Sequence, residues 1–197
     1  MKKIIIIVII LLASISYAQE RRPIISNMYI YVGYDNHGNM GYHKSIFAGM
    51  IYELDYRGNL LWSNNLWFNP RGKIIAGGYY LDYESRVYSL QSNWLFGGGI
   101  NLNYTDNDAW QKIAYGGAFS FGYEWNNYYK SRLIFDYIFN RYNDKIHSYI
   151  QGLEITTTGD MIYNLFLYSK IGFYHGSSIN PCGNDFITAQ IAVGYKL

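Results

Sequence analysis

The chain is poor in proline, cysteine and charge. Its 197 residues include three Pro and one Cys, and only 15% are charged, whereas 19% are aromatic and 20 are Gly. So little Pro and Cys excludes a collagen-like or Pro-rich chain and a disulfide-stapled scaffold. Half of the residues are hydrophobic, which excludes a disordered chain or a coiled coil. The length fits one β-rich domain.

An excess of one charge sign is also missing. The sequence has 16 Lys and Arg against 14 Asp and Glu, and two of the basic residues, Lys2 and Lys3, stand at the extreme N-terminus. A chain without clusters of basic residues offers no positively charged surface for nucleic acid, so we expect no nucleic-acid partner.

The first eighteen residues differ from the rest of the chain. Lys2 and Lys3 precede an apolar run of about ten residues, and a stretch of small residues ends at Ala18, before the polar Gln19. This pattern is typical of a secretory signal peptide, and the run is too short for a membrane-spanning helix. We therefore predict a signal peptide over 1–18 and one domain over 19–197. The lone Cys182 is far from the cleavage site, which argues against a lipoprotein anchor.

The mature chain alternates with period two and contains no apolar run of 18 residues. Large apolar residues recur at every second position, in the series Trp94, Phe96, Ile100, Leu102, then Ile113, Tyr115, Phe119, Phe121, then Leu133, Phe135, Tyr137, Phe139. This period indicates strands. The opposite face is mostly Gly, Ala, Ser and Asn with isolated charges, which suits the narrow polar lumen of a barrel in lipid better than the solvated face of a sandwich.

The predicted turns give the number of strands. Clusters of Gly, Asn, Asp, Pro and other polar residues predict nine turns, at 35–41, 57–59, 69–72, 84–86, 105–108, 126–127, 140–144, 157–160 and 175–184. Nine turns give ten strands in a single closed antiparallel transmembrane β-barrel, because lipid does not tolerate an open sheet edge. Merging elements around Leu60 to Phe68, where alternation is poor, would give eight strands. Tyr and Trp near the turns are predicted to form aromatic girdles, at Trp94, Tyr104, Trp110, Tyr123, Trp125, Tyr128 and Tyr129.

The last strand alternates from Ile187 to the terminal Leu197, with Tyr195 two residues before the end. With the signal peptide, this pattern resembles small bacterial outer-membrane β-barrel proteins. The resemblance implies a location in the outer membrane of a Gram-negative-type bacterium, with both termini in the periplasm. It also implies contact with outer-membrane lipid and lipopolysaccharide, and with the barrel assembly machinery through the C-terminal strand. No cofactor or metal site is expected, and the oligomeric state is left open.

Charges fall on the face that parity assigns to the lumen. They are Glu53, Asp55, Asp82, Glu124, Arg132, Asp136, Glu154 and Lys170. Side chains nearly fill the interior of a barrel this small, so we predict that these charges pair into a plug without an open pore. The protein would then have a structural or surface-interaction role. The alternative is a narrow channel for ions or small solutes, lined by an acidic excess.

The ninth turn suggests an enzymatic alternative. His175 is followed by Ser177, Asn180-Pro181 and Gly183 before the terminal strand. This segment resembles the active-site segment of outer-membrane lipid A deacylases, which are serine esterases acting on lipopolysaccharide. The resemblance implies that His175 is the general base, Ser177 the nucleophile and Asp185 the carboxylate that orients the His, as in other serine hydrolases.

Overall fold

The structure is a computed structural model that describes residues 25–37, 43–56, 60–71, 78–107, 110–125, 130–143, 148–176 and 185–197. The predicted signal peptide, Ser177 and Cys182 lie outside these residues. In the part of the chain that the structure describes, no helix is long and apolar enough to cross a membrane.

Ten strands follow one another along the chain. They are β1 (Ile25–His37), β2 (His43–Tyr56), β3 (Leu60–Arg71), β4 (Gly78–Gln91), β5 (Trp94–Asn107), β6 (Trp110–Trp125), β7 (Ser131–Tyr142), β8 (Tyr149–Asp160), β9 (Leu165–Gly176) and β10 (Asp185–Lys196). A short 3-10 turn, Ile162–Asn164, joins β8 to β9. The segment Leu60 to Phe68, whose alternation is poor, belongs to β3, so the prediction of ten strands is confirmed over the alternative of eight.

The sheet closes into a barrel. Each strand pairs with its neighbours in sequence, and β1 pairs antiparallel with β10, from Tyr29 opposite Lys196 to His37 opposite Thr188. Both ends of the described chain lie at one end of the barrel, which we call the terminus end. The other end, where the chain passes from β1 to β2 and from β9 to β10, is called the long-loop end. Closure leaves no unpaired edge, which a barrel in lipid requires.

The predicted alternation separates an apolar outer wall from a mixed inner wall. On β6 the outward Phe119 is 78% exposed, while its neighbours Ala118 and Ser120 are buried. On β7 the outward Tyr137 alternates with the buried Asp136. β10 alternates in the same way to its end. An apolar outer wall around a closed antiparallel barrel is the architecture of a transmembrane barrel.

Aromatic rings cluster on the outer wall at the terminus end. Trp94 stacks on Phe121 with ring centroids 5.2 Å apart, and Tyr123 contacts both Trp94 and Trp125 edge to face, at 4.8 and 5.1 Å. Rings at the ends of strands are what an aromatic girdle at the headgroups would require. Tyr128 and Tyr129 lie outside the described residues, so the complete girdle stays a prediction.

The predicted turn at 84–86 is wrong. Glu84 and Arg86 lie in the middle of β4, and the turn falls at residues 92–93. Both side chains are largely buried inside the barrel. A strand whose charged residues face a lumen has the same polar composition as a turn, so sequence alone did not distinguish the two. Six other predicted turns begin too early, since 35–37 belongs to β1, 69–71 to β3, 105–107 to β5, 140–142 to β7, 157–160 to β8 and 175–176 to β9.

Candidate functional site

The interior of the barrel holds a layer of charges around Lys170. Its ammonium binds the carboxylate of Glu84 and lies 3.0 Å from Oε2 of Glu154. The Tyr174 hydroxyl donates a hydrogen bond of 2.7 Å to the other oxygen of Glu154. All three charged side chains are largely buried, so each needs the others for charge compensation.

Arg86 continues this layer toward β7. Its Nε lies 3.4 Å from Oδ1 of Asp136, and its Nη1 donates to the backbone oxygen of Ile100 at 2.9 Å. Ser120 donates its hydroxyl to the same Asp136 oxygen. A second layer lies nearer the terminus end, where the guanidinium of Arg132 binds both Glu53 and Glu124.

The closed barrel brings together partners that are remote in sequence. Arg132 on β7 and Glu53 on β2 are 79 positions apart, and Lys170 and Glu84 are 86 apart. The alternation of each strand turns these side chains inward, and closure then places them opposite one another. Of the predicted lumen charges, Glu53, Asp82, Asp136, Glu154 and Lys170 are buried. Glu124 and Arg132 pair, and Asp55 is partly buried at the end of β2.

Glu84 and Arg86 were not predicted as lumen charges, because both were assigned to the turn at 84–86. Period-two counting along β4 from the buried Asp82 would have placed Glu84 and Arg86 on the same inward face. With them, the ion pairs and Asp82 comprise six carboxylates and three cations. Among the side chains that the structure describes, carboxylates therefore outnumber cations in this set.

The other side of the lumen is aromatic. Tyr31 and Tyr168 stack with centroids 5.3 Å apart, and Tyr29 contacts Phe166 at 4.4 Å. Gly49 leaves room for the Tyr31 ring, since a Cβ there would lie 2.4 Å from the ring. The Tyr31 hydroxyl donates to Asn65, so the ring reaches from β1 toward β3.

Two cavities remain between these groups. The larger, of about 120 Å³, lies in the half of the lumen toward the long-loop end, and the smaller, of about 50 Å³, toward the terminus end. Glu84 borders both. Among the described residues, no group of three or more His, Cys, Asp and Glu is placed to hold a metal ion.

Two of the three hydrolase candidates meet on the outer wall. Nδ1 of His175 lies 2.7 Å from Oδ1 of Asp185, and the side chains are 47% and 83% exposed. β9 and β10 pair these residues directly at the long-loop end. A groove beside them is lined by the outward Leu153, Phe173 and Ile187. Ser177 lies outside the described residues, so the structure shows only the contact between the predicted base, His175, and the predicted carboxylate, Asp185.

No protein-family model and no curated protein matches this chain. Among solved structures it is similar to OmpT, an outer membrane protein of Vibrio cholerae, in its in-vitro folded trimer form. The identity is 11% and the TM-score 0.43, over 86% of this chain and 64% of that one. A mutant of OmpT that lacks loop L8 gives 12% and 0.40, over 86% and 62%. The chain thus spans less than two thirds of either structure, and the likeness concerns the fold alone.

Proposed function

We propose that this outer-membrane β-barrel has a lumen closed by its own side chains and serves a structural or surface-interaction role. The observation that supports this proposal is the set of ion pairs that crosses the interior, contributed by β2, β4, β6, β7, β8 and β9. Ten strands enclose an interior only slightly wider than side chains can fill. A pore would have to pass both charged layers and the aromatic side of the lumen.

The closed lumen predicts that the refolded protein does not conduct. In planar lipid bilayers we expect no stepwise currents from the wild type. Replacing Tyr31 and Tyr168 together with Ala removes two stacked rings that are almost fully buried, so that variant should produce discrete current steps. Tyr115→Ala, on the outer wall, is the matched control and should show no current steps. Regular open steps from the wild type would favour the narrow channel instead.

We further propose that the outer wall and the last strand mediate the contacts of this barrel. Ile191, Val193 and Tyr195 are exposed on the outer face of β10, in the pattern that resembles a C-terminal assembly signal. The barrel assembly machinery would bind this strand before the barrel closes against β1. Lipid and lipopolysaccharide would then cover the apolar wall, with both termini in the periplasm.

The second candidate function is lipid A deacylation, and the contact between His175 and Asp185 is the observation that favours it. If Nδ1 donates to the carboxylate, Nε2 is left free to take the proton of a serine hydroxyl, as in serine hydrolases. The pair lies on the outer wall, where acyl chains of the membrane can reach it.

Mass spectrometry of lipopolysaccharide incubated with the refolded barrel tests this second function. The hydrolase hypothesis predicts released fatty acid, loss of release in His175→Gln and Ser177→Ala, and normal release in Ser169→Ala. Ser169 is the matched control, because it lies on β9 like His175 and its hydroxyl bonds to that of Thr157 across the sheet. If folded wild type releases no fatty acid, the enzyme hypothesis fails and the structural role stands.

A further inference from the structure

The larger lumen cavity combines oxygen acceptors with aromatic rings. It extends from Gln190, near the middle of β10, to Tyr142 and Ile150, which lie at the long-loop end of β7 and β8. Its volume of about 120 Å³ is several times what one water molecule occupies. The lining includes three carboxylates, those of Asp82, Glu84 and Glu154, and one ammonium, that of Lys170.

A chain of hydrogen bonds fixes the direction of the amides along this wall. Asn103 donates to Asp82, Asn140 donates to Asn103 at 3.1 Å, and Asn101 donates to Asn140 at 3.0 Å. Asn103 turns its NH₂ group toward Asp82, the orientation that an ionised carboxylate requires because it can only accept. Its oxygen then faces Asn140, and each later amide follows the same orientation. The amide oxygen of Asn101 is left at the free end of the chain.

That oxygen has no donor. Asn101 is 4% exposed, and its Oδ1 makes no hydrogen bond in the structure. Gln190, which is 6% exposed, lines the same cavity, and its Oε1 is likewise without a donor. Buried acceptors of this kind are costly unless something donates to them. Two such oxygens bordering one cavity indicate an occupant that brings N–H or O–H donors. Nε1 of Trp67, on the same cavity, is a buried donor without an acceptor, and a water beside the occupant would accept from it.

From these observations we infer that the cavity is a binding site for a small primary alkylammonium cation. The ammonium would donate to Asn101 Oδ1 and Gln190 Oε1, and the surplus of carboxylates over Lys170 would balance its charge. Trp67, Tyr80 and Phe186 line the same cavity, and aromatic faces stabilise organic cations. The inference goes beyond the proposed structural role, and it does not require that the lumen conduct.

Calorimetric titration of the refolded full chain with ethylammonium chloride tests the site. We expect saturable binding at one site, weakened about tenfold or more in Gln190→Met, since a hydrogen bond to a charged group is lost. Because Gln190 Oε1 has no partner in the fold, this substitution should leave folding intact, which the mobility of unboiled protein on a gel would verify. Asp82→Asn should also weaken binding, by removing a charge from the cavity.

Asp160→Asn is the control, because this carboxylate pairs with Lys196 at the terminus end, away from the cavity. The affinity of this variant for ethylammonium should equal that of the wild type. Three results would overturn the inference. They are the absence of saturable binding by folded protein, equal affinity in Gln190→Met and Asp160→Asn, and displacement of ethylammonium by potassium chloride at comparable concentration. The first would mean that the cavity holds water only. None of these results bears on whether the barrel conducts, so the two proposals fail separately.

Discussion

Replacing Lys170 with Met should lower the free energy of unfolding of the barrel by about 3 to 5 kcal/mol, because it leaves buried carboxylates without their cation. Glu84 and Glu154 both depend on this ammonium, and the Lys170 side chain is 4% exposed. Urea titration of the barrel in lipid vesicles, followed by tryptophan fluorescence, measures the loss.

Lys196→Met provides the matched control. Lys196 also pairs with a carboxylate, that of Asp160, but near the terminus end and with more exposure to solvent, so its loss should cost no more than about 1 kcal/mol. Adding Glu84→Gln to Lys170→Met should recover part of the stability, because one of the uncompensated charges disappears. Equal effects of the two Lys substitutions would contradict a dry, ion-paired layer inside the barrel.

The sequence was sufficient for the architecture because a barrel in lipid repeats one rule on every strand. Alternation at Phe119 and Ser120 identifies the two faces without knowledge of any partner, and counting turns gives the strand number. The same rule assigned Glu53, Asp136 and Lys170 to the interior before their contacts were known. A period of two residues is a local property, so sequence shows it directly.

Pairing inside the lumen could not be predicted, because it depends on how the barrel closes. Nothing local to Arg132 points to Glu53, because four strands lie between β7 and β2 in either direction around the barrel. The turn error at Glu84 and Arg86 has a related cause, because charges that face a lumen and charges in a turn have the same composition. The oxygen of Asn101 is left without a donor by a chain of hydrogen bonds that runs through three amides to Asp82. These four residues come together only in the assembled barrel wall.

The hydrolase candidates illustrate the difference between a local and a remote contact. His175 and Asp185 flank one loop, and the direct pairing of β9 with β10 brings them together. The predicted turn at 175–184 placed His175 in a loop, whereas the structure keeps it in β9, where the parity of the strand puts it on the outer wall.

Replacing Phe119 with Arg tests the outer face, and it should cost about 2 to 4 kcal/mol of stability in lipid vesicles. Phe119 lies near the middle of β6, between Gly98 on β5 and Tyr137 on β7, and is 78% exposed on the outer wall. A guanidinium at this position would stand near the midplane of the bilayer. It would have to leave water, and its neighbours on the adjacent strands, Gly98 and Tyr137, offer no carboxylate to pair with.

Two further variants show whether depth in the membrane causes the loss. Gln91→Arg introduces the same side chain at an exposed position at the end of β4, where the cost should be no more than about 1 kcal/mol because water is near. Phe119→Leu keeps the site apolar and should cost less than the Arg variant. If Phe119→Arg were as stable as Gln91→Arg in vesicles, the outer wall would face water at mid-strand. The alternation on β6 would then mark a solvated surface, and the transmembrane barrel would lose the feature on which it depends.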